Sequence, residues 1–285
     1  MPSRGLRLGD PLSPYLFLLC ADGFSSLINN AVRNNMLSGI SICRGCPMVT
    51  HLFFADDSLL FCKASTQECQ NLMAILDLYE AAFGQKINAD KSSIFFSTNT
   101  PSELKDEIME VMGPMQDSKH NKYLGLPSII GKSKKEVFAE IKEKVAKKLS
   151  GWKEKMLSIG GKEILIKAVA QAIPTYAMSC FLLPKGLCDE IEGIIRRFWW
   201  GQRDQESKIA WVSWKNLCKS KLKEGLGFRN FQAFNLAMLA KQGWRLLSNP
   251  HSLLARIYRA KYFPHGDVLN SKLGCCPSYA WRSIF

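Results

Sequence analysis

Two adjacent acidic side chains, Asp56 and Asp57, are the residues whose type and position best suit chemistry. They stand between two short apolar runs, Val49–Phe54 and Leu59–Phe61, and this pattern predicts a β-hairpin with the acids at its tip. Neighbouring carboxylates repel each other, and a divalent cation such as Mg²⁺ or Mn²⁺ relieves the repulsion because it prefers hard oxygen ligands. Pairs of such ions serve phosphoryl transfer. The alternative is an ordinary solvent-exposed Asp-Asp-Ser turn.

Helices are predicted on both sides of this hairpin. A loop rich in glycine and proline precedes Ser13 and Pro14, which suit a helix cap and a first turn, and a largely buried helix follows over Tyr15–Asn34. Thr66–Phe83 is an amphipathic pattern that Gly84 ends. Later periodic segments predict helices over 102–112, 134–152, 162–172, 187–200, 231–247 and 253–261. The front of the chain is therefore predicted to be α+β and the back mainly helical.

The charge of the chain lies almost entirely in its back part. The 285 residues carry a formal net charge of +13. Residues 1–100 hold 7 basic and 8 acidic side chains, whereas residues 101–285 hold 31 and 17. Such a basic region, which also contains tryptophan, favours an anionic partner, with nucleic acid ahead of a membrane. The alternative is a set of solvated lysine-rich helix faces. No apolar run reaches the roughly 18–20 residues that a membrane span needs, so no membrane partner is expected.

Four motifs occur in a characteristic order along the chain. RGLRLGDPLSP at 4–14 is followed by FADD at 54–57, then by INADKS at 87–92 and YLGLP at 123–127. In this order they closely resemble the reverse transcriptases of plant LINE-type (non-LTR) retrotransposons, and the resemblance covers nearly the whole chain. It implies a partial polymerase palm, made of a helix and the FADD hairpin, before a helical thumb and C-terminal extension. The implied domains are 1–118, 119–185 and 186–285.

The resemblance also implies roles for individual residues. Asp56 would be the main metal ligand of the hairpin, with Asp57 beside it near the primer end. Lys91 would lie near the triphosphate, unless it is a surface lysine that ends a turn. The remaining residues that it assigns would shape the loop around template and nucleotide (Arg7, Gly9, Asp10, Pro11, Ser13) or form the turn between palm and thumb (Tyr123, Leu124, Gly125). For Asp10 and Ser13, capping of the following helix is an equal alternative.

The partners implied by the resemblance are an RNA template, a DNA primer, deoxynucleoside triphosphates and two Mg²⁺ or Mn²⁺ ions. The basic helices would contact phosphates without reading sequence, and the residues expected to make these contacts are lysines 142, 144, 147, 148, 153 and 155. Most tryptophans are expected in the core instead. The location in the cell stays open, and the nucleus is expected for a protein that acts on chromosomal DNA.

Two departures from the family pattern lower the expected activity. Leu8 stands where the family usually has Gln, and Leu lacks the amide group that would hydrogen-bond there. The family's other catalytic aspartate lies on a strand upstream of the first motif, so the chain is expected to be inactive alone and to expose an unpaired sheet edge that invites association. The alternative functions are a non-catalytic remnant that binds nucleic acid through its basic helices, or a basic interaction module with a chance FADD turn.

Overall fold

A computed structural model of the chain divides it into two compact units, 1–120 and 121–285, each of which is described separately below. The structure describes residues 10–113, 115–117, 122–127, 130–131, 133–153, 157–201 and 209–285, without the side chains of 116, 117, 122, 127 and 153. Helices dominate and short strands form small two-stranded sheets, so the architecture is α+β, as the sequence predicts.

The first unit is built on two helices and a hairpin. These elements are α1 (Ser13–Arg33), β1 (His51–Phe54), β2 (Asp57–Leu60) and α2 (Thr66–Phe83). The Ser65 side chain caps α2, and Gly84 ends it with a φ of 67°, a left-handed conformation that suits glycine. Further along, α3 (Ser102–Met112) packs on α2, and β3 (Ser93–Ile94) pairs in parallel with β4 (Gln116–Asp117).

The start of α1 differs from the prediction. Ser13 is the first helical residue rather than the cap, and the cap position is Leu12. Asp10 supplies the missing hydrogen bonds, because its side-chain oxygen accepts from the Leu12 N–H at 2.9 Å and its carbonyl accepts from the Ser13 N–H at 3.1 Å. The turn before α1 therefore closes through Asp10, and the predicted capping by Ser13 is wrong.

Only the second half of α1 is buried. Phe24, Ile28 and Ala31 pack against a stripe on α2 formed by Leu72, Ile75, Leu76 and Tyr79. The first half exposes its apolar side chains, and Leu18, predicted to be buried, is 63% exposed. The prediction that no segment reaches the length and apolarity of a membrane span is also wrong here, since α1 is long and apolar enough to cross a membrane, with a mean hydropathy of 1.2 over 18 residues. A core helix passes the same test, so this single helix is weak evidence for a membrane partner.

The second unit is a helical assembly around one extended core. A two-residue turn joins β5 (Lys122–Tyr123) to β6 (Leu126–Pro127). The helices that follow are α4 (Lys134–Val137), α5 (Ala139–Lys153), α6 (Ile159–Leu165), α7 (Thr175–Cys180), α8 (Lys185–Trp199), α9 (Trp214–Leu217), α10 (Phe231–Ser248), α11 (Leu253–Tyr262) and α12 (Tyr279–Ile284). A π-helical turn, Ile166–Ala170, follows α6. Phe138, which is buried, separates α4 from α5, where the sequence predicts one continuous helix.

The core of the second unit is built from apolar residues that recur at helical spacing. Leu187, Ile191 and Ile195 recur every four residues on α8 and are completely buried with Phe198. They belong to one continuous cluster with buried residues of α5, α7 and α10. A smaller cluster joins α10 to α11 and α12 around Trp281, which stacks on Tyr262 with ring centroids 4.7 Å apart.

Candidate functional site

The two adjacent acids lie at the tip of a tight hairpin. Strands β1 and β2 are antiparallel, Phe54 pairs with Asp57, and Ala55 and Asp56 are the two turn residues. Ala55 has a φ of 49°, a left-handed conformation that residues with a Cβ adopt at a cost of roughly 1–3 kcal/mol. The tip is therefore strained, and such strain is concentrated at functional sites.

One face of the hairpin is anchored to the core of the first unit. Phe53 stacks on Phe24 of α1 with ring centroids 5.2 Å apart. The two ring nitrogens of His51 hydrogen-bond to the hydroxyls of Ser25 and Thr50, each at 2.9 Å. Burial lowers the pKa of His51 and so favours the neutral ring, which would donate to one of these hydroxyls and accept from the other. Sequence reasoning did not identify His51 as a positioning residue, although it lies on the same face as Phe53, two residues away.

The opposite face carries the acids and is open. Asp57 shares this face with Leu52 and Phe54, and Phe54 is 60% exposed. The carboxylates of Asp56 and Asp57 are exposed and make no hydrogen bond or ion pair with any described residue. The unsatisfied carboxylate oxygens are thus presented to solvent beside an apolar surface.

The acids would supply part of a divalent-cation site. Their oxygens are of the hard type that Mg²⁺ and Mn²⁺ prefer, but these ions take about six ligands. Within the described ranges, no group of three or more His, Cys, Asp or Glu side chains is arranged to hold a metal. The residues described here therefore do not complete a two-metal centre, and a further ligand is needed.

The outer edges of the hairpin are also unpaired. In the part of the chain that the structure describes, β1 and β2 form a sheet of two strands only. An isolated antiparallel bridge joins Val49, just before β1, to Ile40, and the Phe61 N–H, just after β2, donates to the Thr50 carbonyl. An edge of this kind, with apolar side chains beside it, is able to pair with another strand.

The structure describes only some of the residues predicted to shape the template–nucleotide loop. Arg7, Gly9 and the unusual Leu8 fall outside the described residues. Asp10 and Ser13 make the hydrogen bonds that start α1, and Pro11 is exposed beside them. No hydrogen bond or ion pair between described residues joins this turn to the hairpin tip.

Lys91 lies on a short turn that is fixed by local contacts. It ends a 3₁₀ turn, Ala89–Lys91, and its N–H donates to the Asn88 side chain at 3.2 Å. The ammonium group is exposed, and within the described ranges it forms no ion pair. The structure therefore leaves Lys91 available to an anion without bringing it into contact with Asp56 or Asp57.

The predicted palm-to-thumb turn belongs to the second unit. Tyr123 pairs with Leu126 across a turn whose two residues, Leu124 and Gly125, have φ values of 50° and 74°. Positive φ at both positions defines a type I′ turn, which suits the twist of a hairpin. Leu126 packs on the core of that unit.

Two of the lysines predicted to contact phosphate, Lys142 and Lys144, are paired within the protein, and Lys135, which was not predicted, shares the partner of Lys142. Lys135 and Lys142 both bind Glu190, and hydrogen bonds to these two lysines lower the pKa of that carboxyl. Lys144 pairs with Glu140 at 3.1 Å. The other predicted lysines are either exposed without a described ion pair (147 and 148) or not described at the side chain (153 and 155).

Comparison with known proteins adds a family and three relatives from Arabidopsis thaliana. Residues 1–128 match the family model "Reverse transcriptase (RNA-dependent DNA polymerase)". An uncharacterized mitochondrial protein is 50% identical over 114 residues, which are 40% of this chain and 74% of the relative. Another is 37% identical over 102 residues, 35% of this chain and 81% of the relative. A protein named "Putative ribonuclease H protein" is 35% identical over 160 residues, which are 56% of this chain but 26% of that protein.

Proposed function

The chain belongs to the reverse transcriptase (RNA-dependent DNA polymerase) family, and from that premise we propose that it is part of a LINE-type template-directed nucleotidyl transferase. In this reaction a primer 3′-hydroxyl attacks the α-phosphate of a deoxynucleoside triphosphate on an RNA template, and pyrophosphate leaves. The observation that carries the proposal is the FADD hairpin, which presents Asp56 and Asp57 at a strained, open tip.

The proposal assigns the first unit to part of the palm and residues 119–185 to the thumb, with 186–285 as a helical extension. Asp56 and Asp57 would bind Mg²⁺ or Mn²⁺ together with a ligand from outside the described residues, because these two carboxylates do not complete the site. His51 and Phe53 position the tip by fixing the other face of the hairpin to α1. Lys91 and the loop around Asp10 would contact nucleotide and template.

An incomplete ligand set predicts weak metal binding and no catalysis by the chain alone. Electron paramagnetic resonance with Mn²⁺ titrations measures the first property. We expect weak binding that Asp56→Asn/Asp57→Asn abolishes and that Asp22→Asn, which removes an exposed carboxylate of α1, leaves unchanged. Mn²⁺ binding that is equal in all three proteins would contradict a metal role for the hairpin.

Primer extension on an RNA template, with Mg²⁺ or Mn²⁺, measures the second property. We expect no extension by the wild type above the level of Asp56→Ala/Asp57→Ala. Extension that is lost in the double variant would show that the site is completed by this chain and would disprove the predicted inactivity, while it would strengthen the assignment of the two aspartates.

A second candidate function is that of a non-catalytic remnant that only binds nucleic acid. The observation that favours it is the combination of a partial ligand set in the first unit with the basic excess of residues 101–285. The Mn²⁺ titration distinguishes the two candidate functions. A non-catalytic remnant whose hairpin tip has no metal role is not expected to bind Mn²⁺ through Asp56 and Asp57.

A further inference from the structure

Helix α10 has an apolar face that nothing in the described structure covers. Its buried side, with Phe231, Asn235 and Leu239, packs on the core of the second unit. The opposite side is exposed, and its residues recur at intervals of three and four, so they form one stripe (Ala233, Leu236, Ala237, Ala240, Trp244, Leu247). Trp244 is 68% exposed, although large aromatic side chains are usually well buried.

Positive charge lies directly beside this stripe. Lys241 and Arg245 are exposed on α10 next to Trp244, and neither forms an ion pair with a described residue. This differs from α5, where Lys142 and Lys144 bind glutamates. The surrounding sequence supplies almost no acid to neutralise them, because residues 230–285 contain seven Lys and Arg but a single acidic residue, Asp267.

A surface cavity lies beside Arg245, at the end of α10. It has a volume of about 500 Å³ and is open to solvent. It opens where α10 ends and α11 begins, and its walls are polar and basic (Arg245, Ser248, Asn249, Pro250, His251, Ser252). The Ser248 hydroxyl of the cavity wall donates to the backbone carbonyl of Trp244 at 3.0 Å, so the two residues lie one helical turn apart along α10.

We propose that this corner of α10 and α11 binds single-stranded nucleic acid, with one base stacked on Trp244, the neighbouring phosphates on Lys241 and Arg245, and an adjacent nucleotide in the cavity. Unpaired bases expose the flat faces that stack on aromatic side chains, and the phosphates meet the basic side chains. In a duplex the base faces are already stacked on one another, so they cannot stack on the exposed indole of Trp244. The basic excess around the stripe argues against an apolar protein partner, because an apolar surface offers no negative charge to pair with it.

This proposal concerns a site apart from the FADD hairpin and does not depend on the polymerase assignment. Asp56→Ala/Asp57→Ala protein should therefore bind single strands as the wild type does. Absence of Mn²⁺ binding at the hairpin would therefore leave the single-strand binding result unaffected. Likewise, absence of single-strand binding would leave the metal result unaffected.

The test uses fluorescence anisotropy of a labelled 20-nucleotide oligo(U) or oligo(dT) with the full chain. Trp244→Ala should weaken binding about tenfold, and Trp244→Phe should restore part of the loss because phenylalanine still stacks. Arg245→Gln should also weaken binding and should reduce its salt dependence by about one phosphate contact. Circular dichroism and thermal unfolding should be unchanged, since all of these side chains are exposed.

Matched variants make the outcome specific. Trp211→Ala removes an indole that is 79% exposed elsewhere in the second unit, and Lys185→Gln removes an exposed charge of α8. Both should bind single strands as the wild type does. The proposal is overturned if Trp244→Ala binds with unchanged affinity, if a 20-base-pair duplex binds more tightly than the single strand, or if vesicles containing phosphatidylserine compete for the site.

Discussion

The hairpin tip of the first unit and the ion-pair networks of the second unit hold their carboxylates in opposite ways. In the first unit, Asp56 and Asp57 stand at an exposed tip without a partner among the described residues. In the second unit, Glu163 and Glu190 are each held between two lysines. A carboxylate that is satisfied internally contributes to the fold, whereas one held open on a strained turn is available to a ligand.

The hydrophobic cores of the two units also differ, in how continuous their buried clusters are. The second unit has a large continuous cluster that draws on α5, α7, α8 and α10, and a smaller one around Trp281. The buried residues of the first unit fall into two smaller clusters, and half of α1 lies outside both. Buried apolar area is the main source of folding free energy, so we expect the second unit to be the more stable, and the following experiments test that difference.

The largest expected effect comes from truncating the core of the second unit. Ile191→Ala removes a completely buried side chain of α8 and should cost about 2–5 kcal/mol of unfolding free energy, because it leaves a cavity. Leu18→Ala, on the exposed half of α1, should change it by about 0.5 kcal/mol or less. Urea unfolding followed by circular dichroism measures both. Equal costs would contradict the exposure assigned to α1.

A buried amide should give the next largest effect. The Asn235 NH₂ donates to the carbonyls of Met178 and Phe181 at 2.7 and 2.9 Å, and its oxygen accepts from the Leu183 N–H at 2.8 Å. Asn235→Ala would leave three backbone groups unsatisfied and should cost about 3 kcal/mol. Asn29→Ala, on the exposed side of α1, provides the control and should be nearly neutral. The same urea titration decides, and a cost below that of Asn29→Ala would refute the network.

Strain at the hairpin tip predicts a stabilising change in the first unit. Ala55→Gly replaces a residue with a φ of 49° and should raise the thermal stability of that unit by about 0.5–1 kcal/mol. Ala82→Gly, inside α2, should have the opposite sign, with a loss of about 1 kcal/mol. Differential scanning calorimetry resolves the two. If Ala55→Gly is destabilising, the tip is not strained as described.

The smallest expected effect is the pH dependence of one ion-pair network. Hydrogen bonds from Lys167 at 2.7 Å and Lys221 at 2.9 Å lower the pKa of Glu163 below its ordinary value. Because the folded pKa is the lower one, this carboxylate stabilises the fold above the ordinary carboxyl pKa and loses that contribution as the pH falls through the folded value.

Glu163→Gln should therefore cost about 0.5–1 kcal/mol at pH 7 and less at acidic pH. Glu143→Gln, an exposed residue of α5, is the matched control and should show no such trend. Chemical unfolding at pH 7 and at pH 3 measures the difference, and a cost that stays constant with pH would exclude the network as its source.

Much of the secondary structure was predictable because local signals specify it. The hairpin between two apolar runs, the helix that Gly84 ends, and the helix over 102–112 all agree with the structure. Prediction failed where a distant contact overrides the local pattern. Buried Phe138 interrupts the predicted helix over 134–152, and a π-helical turn lies within the one predicted over 162–172. The spacing of apolar residues along the sequence does not report such long-range packing.

The candidate site shows the same division. Residue types and their spacing were enough to predict the family and an acid pair at the tip of a hairpin. The folded structure was needed for the register that places Asp57 and Phe53 on opposite faces, for the anchoring of the hairpin to α1 by His51, and for the exposure of Trp244. These properties depend on which surfaces meet, and residues far apart in the chain meet only in the folded protein.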